Sequence, residues 1–157
     1  GLVQIANDNA PGQIVISGAT LAVDAAIEIA KTAGLKRAIK LPVSAPFHCD
    51  LMASASTVMK DALAKINLVD AVIPIYCNVT AAPQKKAVQL LENLVKQVTA
   101  PVRWRESLIA MNAAGATKFI ELGTGKVLSG LVKRTVDAAA IVNLDGPDDL
   151  DAVLAQM

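Results

Sequence analysis

Apolar and polar positions along this 157-residue chain change period several times, and each change marks an element. The segments "LVQIAN" (2–7) and "QIVISG" (13–18) are rich in β-branched residues and flank the turn-forming "DNAPG", which predicts two strands joined by a turn. Leu21, Ala25, Ile29 and Ala33 then repeat at helical spacing, with Thr20 reading as N-cap and Gly34 standing where a C′ glycine belongs. "RAIKLP" (37–42) reads as a short strand that Pro42 ends. From Asp50 to Ile66 the apolar positions Leu51, Ala55, Val58, Met59, Ala62, Leu63 and Ile66 predict a helix. "AVIPIYCNV" (71–79) reads as a strand broken by Pro74, and two helices are expected over 87–98 and 104–114, the second closed by Gly115. "KFIEL" (118–122) predicts a buried strand. It feeds the glycine turn "GTGK", a helix over 127–134, a last strand over 139–144 and a terminal helix over 147–157.

Alternation of helix and strand from residue 50 onward is the α/β signature. The opening ββαβ run is not a complete unit by itself. It reads as a ferredoxin-like βαββαβ lacking its first strand and helix.

Composition narrows the function classes. Apolar residues make up 54% and charged residues 18%, which excludes a disordered chain. Aromatics are only 3%, which argues for an aliphatic, alanine-rich core and against a stacking platform for single-stranded nucleic acid. A net charge of +1 without a basic stripe makes nucleic acid an unexpected partner. No apolar run reaches membrane-spanning length, since Asp24, Glu28 and Lys31 interrupt the most hydrophobic helix, and no signal peptide is visible, so a cytoplasmic protein is expected. Two cysteines, Cys49 and Cys77, lack metal-ligand spacing, and a single histidine cannot complete a zinc site; neither a metal nor another cofactor is expected. The chain begins with Gly1 rather than Met, which hints at a processing, cloning or cleavage boundary.

The single histidine, His48, lies in "PVSAPFHCDLM" (42–52), behind two prolines and ahead of a helix. Pro42 and Pro46 limit the loop, so the ring is presented in a defined place. The positive end of a helix dipole there favours the neutral ring, the form a general base needs. A base needs a nucleophile and a group that fixes its tautomer. Cys49 adjoins the histidine, but successive residues on a starting helix point about 100° apart and do not face each other. The serines lack a G-x-S-x-G elbow. An ordinary loop histidine making one hydrogen bond is the plain alternative for His48.

"NDNAPGQIVISG", "LPVSAPFHCDLM", "PIYCNV", "APVRW" and "ELGTGKVLSGLVKR", in this order and with these gaps, resemble the malonyl-CoA:acyl-carrier-protein transacylase family. The resemblance covers essentially the whole chain, but only the C-terminal half of the family's usual length. It implies an α/β fold: residues 43–157 form the C-terminal portion of an α/β-hydrolase-like acyltransferase large domain, and residues 1–42 are part (ββαβ) of an inserted ferredoxin-like subdomain. It also implies a ping-pong transfer of malonyl from malonyl-CoA, through a serine ester, to the phosphopantetheine thiol of acyl carrier protein in fatty acid biosynthesis. The serine, the malonyl-pairing arginine and the oxyanion hole then belong to the N-terminal half, which becomes a required partner.

Three roles follow from the resemblance. His48 matches the catalytic histidine, and Gln97, four residues before the proline of "APVRW", matches a glutamine whose backbone carbonyl orients it. Asn7 and Asn9 match asparagines at the acyl-CoA entrance, for which turn chemistry is the plain alternative. Phe47 resembles the malonyl-selecting residue of related acyltransferases, where a rigid ring would reject an α-methyl branch by roughly 1–3 kcal/mol. "GTGKVL" carries Thr124 where the family has proline and does not satisfy a phosphate loop. It reads as a structural turn, with Lys126 a weak candidate for coenzyme A phosphates. Lys36, Arg37, Lys133 and Arg134 are candidates to dock an acidic carrier protein. Two other readings stay open at this point. One is an inactive truncated relative that only binds carrier protein or coenzyme A, and the other is a self-sufficient hydrolase using Cys49 or a local serine.

Overall fold

A computed structural model describes residues 1–155 as a mixed α/β chain. Strand β1 (Val3–Ala10) and strand β2 (Gln13–Gly18) form an antiparallel hairpin through Pro11-Gly12, where Gly12 takes a φ of 72°. The pairing shifts register between Ile5 and Asn7 and again between Asp8 and Ala10. The first shift has a visible cause. There the backbone of β1 also serves its other edge: Val102 donates to the Ala6 carbonyl and accepts from the Asp8 N–H, each at 2.8 Å. Gly18 permits the far end of the hairpin to close, because a Cβ at that position would lie 2.2 Å from the Leu2 carbonyl oxygen.

Helix α1 (Thr20–Thr32) follows directly. Thr20 is its first helical residue rather than its cap. The capping position belongs to Ala19, whose N–H is held by the Leu2 carbonyl at 2.9 Å and whose own carbonyl accepts from Ala22 and Val23. The tertiary anchor replaces the side-chain cap that the threonine suggested. The strand expected over 37–42 is absent, so the opening unit is ββα and not ββαβ. A short apolar stretch becomes a strand only beside a partner, and no described strand pairs with it. Lys40 instead reaches Asp24 of α1 at 2.8 Å, and the Leu41 carbonyl accepts from Val43 in a tight turn.

A 3₁₀ turn (Asp50–Met52) leads into helix α2 (Ala53–Leu63), which stops short of Ile66. Strand β3 (Ile75–Cys77) pairs antiparallel with strand β4 (Ala82–Gln84), a three-residue element containing Pro83 that carries no pattern of its own in the sequence. Helix α3 (Ala87–Gln97) and helix α4 (Trp104–Ala113) form where the periodicity places them, and Gly115 with a φ of 96° ends the second.

The last third is a βαβ unit. Strand β5 (Lys118–Leu122) and strand β6 (Ala140–Leu144) lie parallel in register from Lys118↔Ala140 to Leu122↔Leu144, joined through helix α5 (Val127–Thr135). Leu108 of α4, Val132 of α5 and Val136 are buried together against Trp104, Met111, Phe119 and Ile141. Each buried aliphatic of this kind contributes about 1.5–3 kcal/mol. The "GTGK" segment forms a tight turn between β5 and α5. Gly123 and Gly125 take φ values of 113° and 93°, and their N–H groups bond the Leu144 carbonyl at 2.9 Å and the Asp145 carboxylate at 2.7 Å. From β5, Glu121 accepts the Leu128 and Ser129 N–H groups at 3.0 and 2.7 Å and so caps α5. The Ser129 hydroxyl first, then those amides and Asn143, hold the Glu121 carboxyl below the usual glutamate range. A second 3₁₀ turn (Pro147–Asp149) and helix α6 (Leu150–Leu154) close the chain. Of the helix expected over 147–157, residues 156–157 lie outside the described residues.

Candidate active site

His48 follows the stiff segment set by Pro42 and Pro46, in the left-handed region with a φ of 56°. A non-glycine residue there costs about 1–2 kcal/mol, and histidine is among the few types enriched in it. Neighbouring structure must therefore hold it, and three contacts do so.

The first is on the ring. Nδ1 lies 3.0 Å from the backbone carbonyl of Gln97, the last residue of α3. A carbonyl oxygen only accepts, so Nδ1 carries the proton and donates, which leaves Nε2 with its lone pair. The Gln97 side-chain Nε2 stands 3.2 Å from the same nitrogen, but its hydrogen bond goes to the Ala100 carbonyl at 3.0 Å. A protonated Nδ1 has no lone pair to accept from that amide, so the second approach is not a hydrogen bond.

The second contact is the neighbour: Cys49 is fully buried and anchors the residue after the histidine. The third is a reciprocal pair. Gln4 of β1 donates from Nε2 to the Asp50 carboxylate and accepts the Asp50 N–H at Oε1, both at 2.8 Å.

His48, Gln97 and Phe47 line one open groove of about 390 Å³ together with Met52, Ala55, Met59, Leu94 and Val98. Its walls are α2 and α3, tied by the Ser56 hydroxyl donating to the Val95 carbonyl at 3.2 Å. Phe47 is half exposed at the rim. Asn7 and Asn9 are not among the groove residues. Both are half-buried on β1, and neither side chain makes a hydrogen bond among the described residues. Asn7 bridges Val102, five residues beyond Gln97, so the strand and the groove share one support.

That support has ionic ties the sequence reading missed. Arg105 makes a bidentate pair with Asp8 at 2.6–2.9 Å, and Arg103 makes another with Glu106 while donating to the Val79 carbonyl. Arg103 holds the Glu106 carboxyl below its usual range. The sequence signal for the Gln4–Asp50 pair is no more than a polar residue between Val3 and Ile5.

Among the described residues no hydroxyl or thiol bonds the His48 ring, and no group of three His, Cys, Asp or Glu side chains could hold a metal. Burial of Cys49 keeps its thiol away from substrate, which tells against the Cys49 form of the self-sufficient hydrolase reading. Arg134 donates to Gln13 and to the Pro11 carbonyl, bracing the hairpin turn, and it is exposed, as are Lys36, Arg37 and Lys133. No described helix is long and apolar enough to cross a membrane.

No family model matches the chain. Individual relatives do. The malonyl CoA-acyl carrier protein transacylase of Bacillus subtilis is 43% identical over 153 residues, 98% of this chain and 48% of the relative. An acyl-carrier-protein S-malonyltransferase from Bartonella henselae superposes with a TM-score of 0.94 at 43% identity, over 99% of this chain and 50% of that one. A malonyl-transacylase solved in complex with its type II PKS acyl-carrier protein superposes equally well at 35% identity, again over half its length. The chain spans about half the length of the relatives it matches. By sequence and by fold it is a homologue of the malonyl CoA-acyl carrier protein transacylases, matching about half of such an enzyme along nearly its whole length.

Proposed function

We propose that this chain is the histidine-bearing, C-terminal half of a cytoplasmic enzyme that moves malonyl from malonyl-CoA to the phosphopantetheine thiol of acyl carrier protein, in fatty acid biosynthesis. Residues 43–157 then belong to an α/β-hydrolase-like large domain and residues 1–42 to an inserted ferredoxin-like subdomain. The observation that carries this reading is the Nδ1 donation from His48 to the Gln97 carbonyl, which leaves Nε2 free to take a proton.

In the first half-reaction His48 Nε2 takes the proton of a serine hydroxyl supplied by the other half of the enzyme. The serine oxygen attacks the thioester carbonyl, and collapse breaks the C–S bond. The coenzyme A thiolate leaves and takes the proton back from His48. In the second half-reaction the carrier thiol gives its proton to Nε2 and attacks the serine ester, and the departing serine oxygen recovers the proton. Gln97 holds the tautomer throughout. Phe47 at the groove rim selects against a branched acyl group, and Asn7 and Asn9 face the acyl-CoA entrance.

Incubation with malonyl-CoA followed by intact-mass measurement tests this. A malonyl adduct should form only when the N-terminal half is added, and on that half. An adduct on this chain alone sinks the reading. No adduct in either mixture, with carrier protein still bound, favours the inactive binding module.

A further inference from the structure

The loop that presents His48 is fixed to the hairpin by one pair of side chains that nothing in the proposed chemistry uses. Gln4 and Asp50 are 46 residues apart, yet they exchange two hydrogen bonds of 2.8 Å. Gln4 sits in the paired part of β1, opposite Ser17, so its amide is placed by a ladder and not by a mobile loop. Asp50 starts the 3₁₀ turn two residues after His48. The bond to its N–H fixes the backbone, and the bond to its carboxylate fixes the rotamer of the clamp itself.

His48 occupies a left-handed conformation, and the segment before it makes a tight turn from Phe47 N–H to the Ala45 carbonyl. Behind it, Cys49 is wedged in the interior. A loop residue in that conformation relaxes toward extended backbone unless both flanks are held, and relaxation would swing Nδ1 away from the Gln97 carbonyl.

We infer that Gln4 and Asp50 are a positioning pair for His48, holding the backbone so that the Nδ1–H tautomer is kept. The inference rests on His48 acting as the base. Its signature is a loss in kcat without a loss in donor affinity, since neither residue lines the groove.

The test uses the enzyme reassembled from this chain and its N-terminal half, with only this chain labelled with ¹⁵N. Its single histidine then gives one imidazole spectrum. Gln4→Ala should lower kcat by about tenfold, leave KM for malonyl-CoA within about twofold, and convert the Nδ1–H pattern into a mixture of tautomers. Asp50→Asn keeps both bonds and should stay near wild type, whereas Asp50→Ala should fall toward Gln4→Ala. Should Gln4→Ala fail to assemble, the Asp50→Asn and Asp50→Ala pair decides. Equal losses in those two variants, or a Gln4→Ala enzyme with unchanged kcat and tautomer, would overturn the positioning role. A His48→Ala enzyme with full activity would instead overturn the underlying reading of His48, so the two failures are separable.

Discussion

Replacing His48 by Gly, Ala and Val separates what the ring does from what the backbone beneath it demands. All three variants lose the donor to the Gln97 carbonyl, worth about 1 kcal/mol net for a partly buried bond. They differ in how they tolerate a φ of 56°. Alanine keeps the left-handed cost of about 1–2 kcal/mol that histidine already bears. Glycine removes that cost but gains chain freedom in the unfolded state, an offset of roughly 0.5–1 kcal/mol. Valine, β-branched, is the worst occupant. The expected order of stability is therefore Gly above Ala above Val, in steps of about 1 kcal/mol, with the Gly variant close to wild type. In urea, with a slope of about 2 kcal/mol/M, each step moves the midpoint by roughly 0.5 M. Acyl transfer by the reassembled enzyme should fall in all three alike, by about 10²–10⁴-fold for loss of a general base. Coincident urea midpoints would refute the left-handed placement. A Gly variant that retains transfer would refute the catalytic one.

Other outcomes follow from single contacts. Leu108→Ala enlarges an apolar cavity of about 200 Å³ that Leu108 already lines, so the site cannot collapse and the loss should be in the upper part of about 2–5 kcal/mol, read by thermal or chemical melting. The Glu121 carboxyl has a folded value depressed below the ordinary 4.5, so its stabilising contribution is complete above that value and fades as pH falls through the lower folded one; Glu121→Gln should flatten acid unfolding in that window. Under native conditions a thiol reagent should modify the partly exposed Cys77 quickly and the fully buried Cys49 only at the rate of opening; equal rates would contradict the burial.

Local pattern carried the helices well, because α1, α3, α4 and α5 each present an apolar stripe at helical spacing. Strands β5 and β6 were equally visible as short aliphatic runs. Errors fell where partners decide. Residues 37–42 read as a short strand yet no described strand pairs with them, while Ala82–Gln84 lacks any strand signal and pairs because β3 is there. Thr20 looked like a cap until the Leu2 carbonyl claimed the residue before it. In the site, His48 and Gln97 were found through ordered motifs, and their contact spans 49 residues that no periodicity connects. Gln4–Asp50 and Asp8–Arg105 stayed hidden for the same reason: a polar residue in sequence does not announce which distant group will satisfy it.

The bridge between β1 and Val102 also has a kinetic meaning. It joins one end of the chain to a point some 95 residues away, so the large loop between them must close before that edge gains anything. Closure of that span belongs to the slow, non-local part of folding, after the helices and the β5–α5–β6 unit have formed from nearby residues. The imidazole's carbonyl partner, Gln97, lies within that span, and its tether runs from Asp50 inside the span to Gln4 just before it. The His48–Gln97 contact should accordingly appear as a late folding event, and no short excised peptide around the histidine should reproduce it.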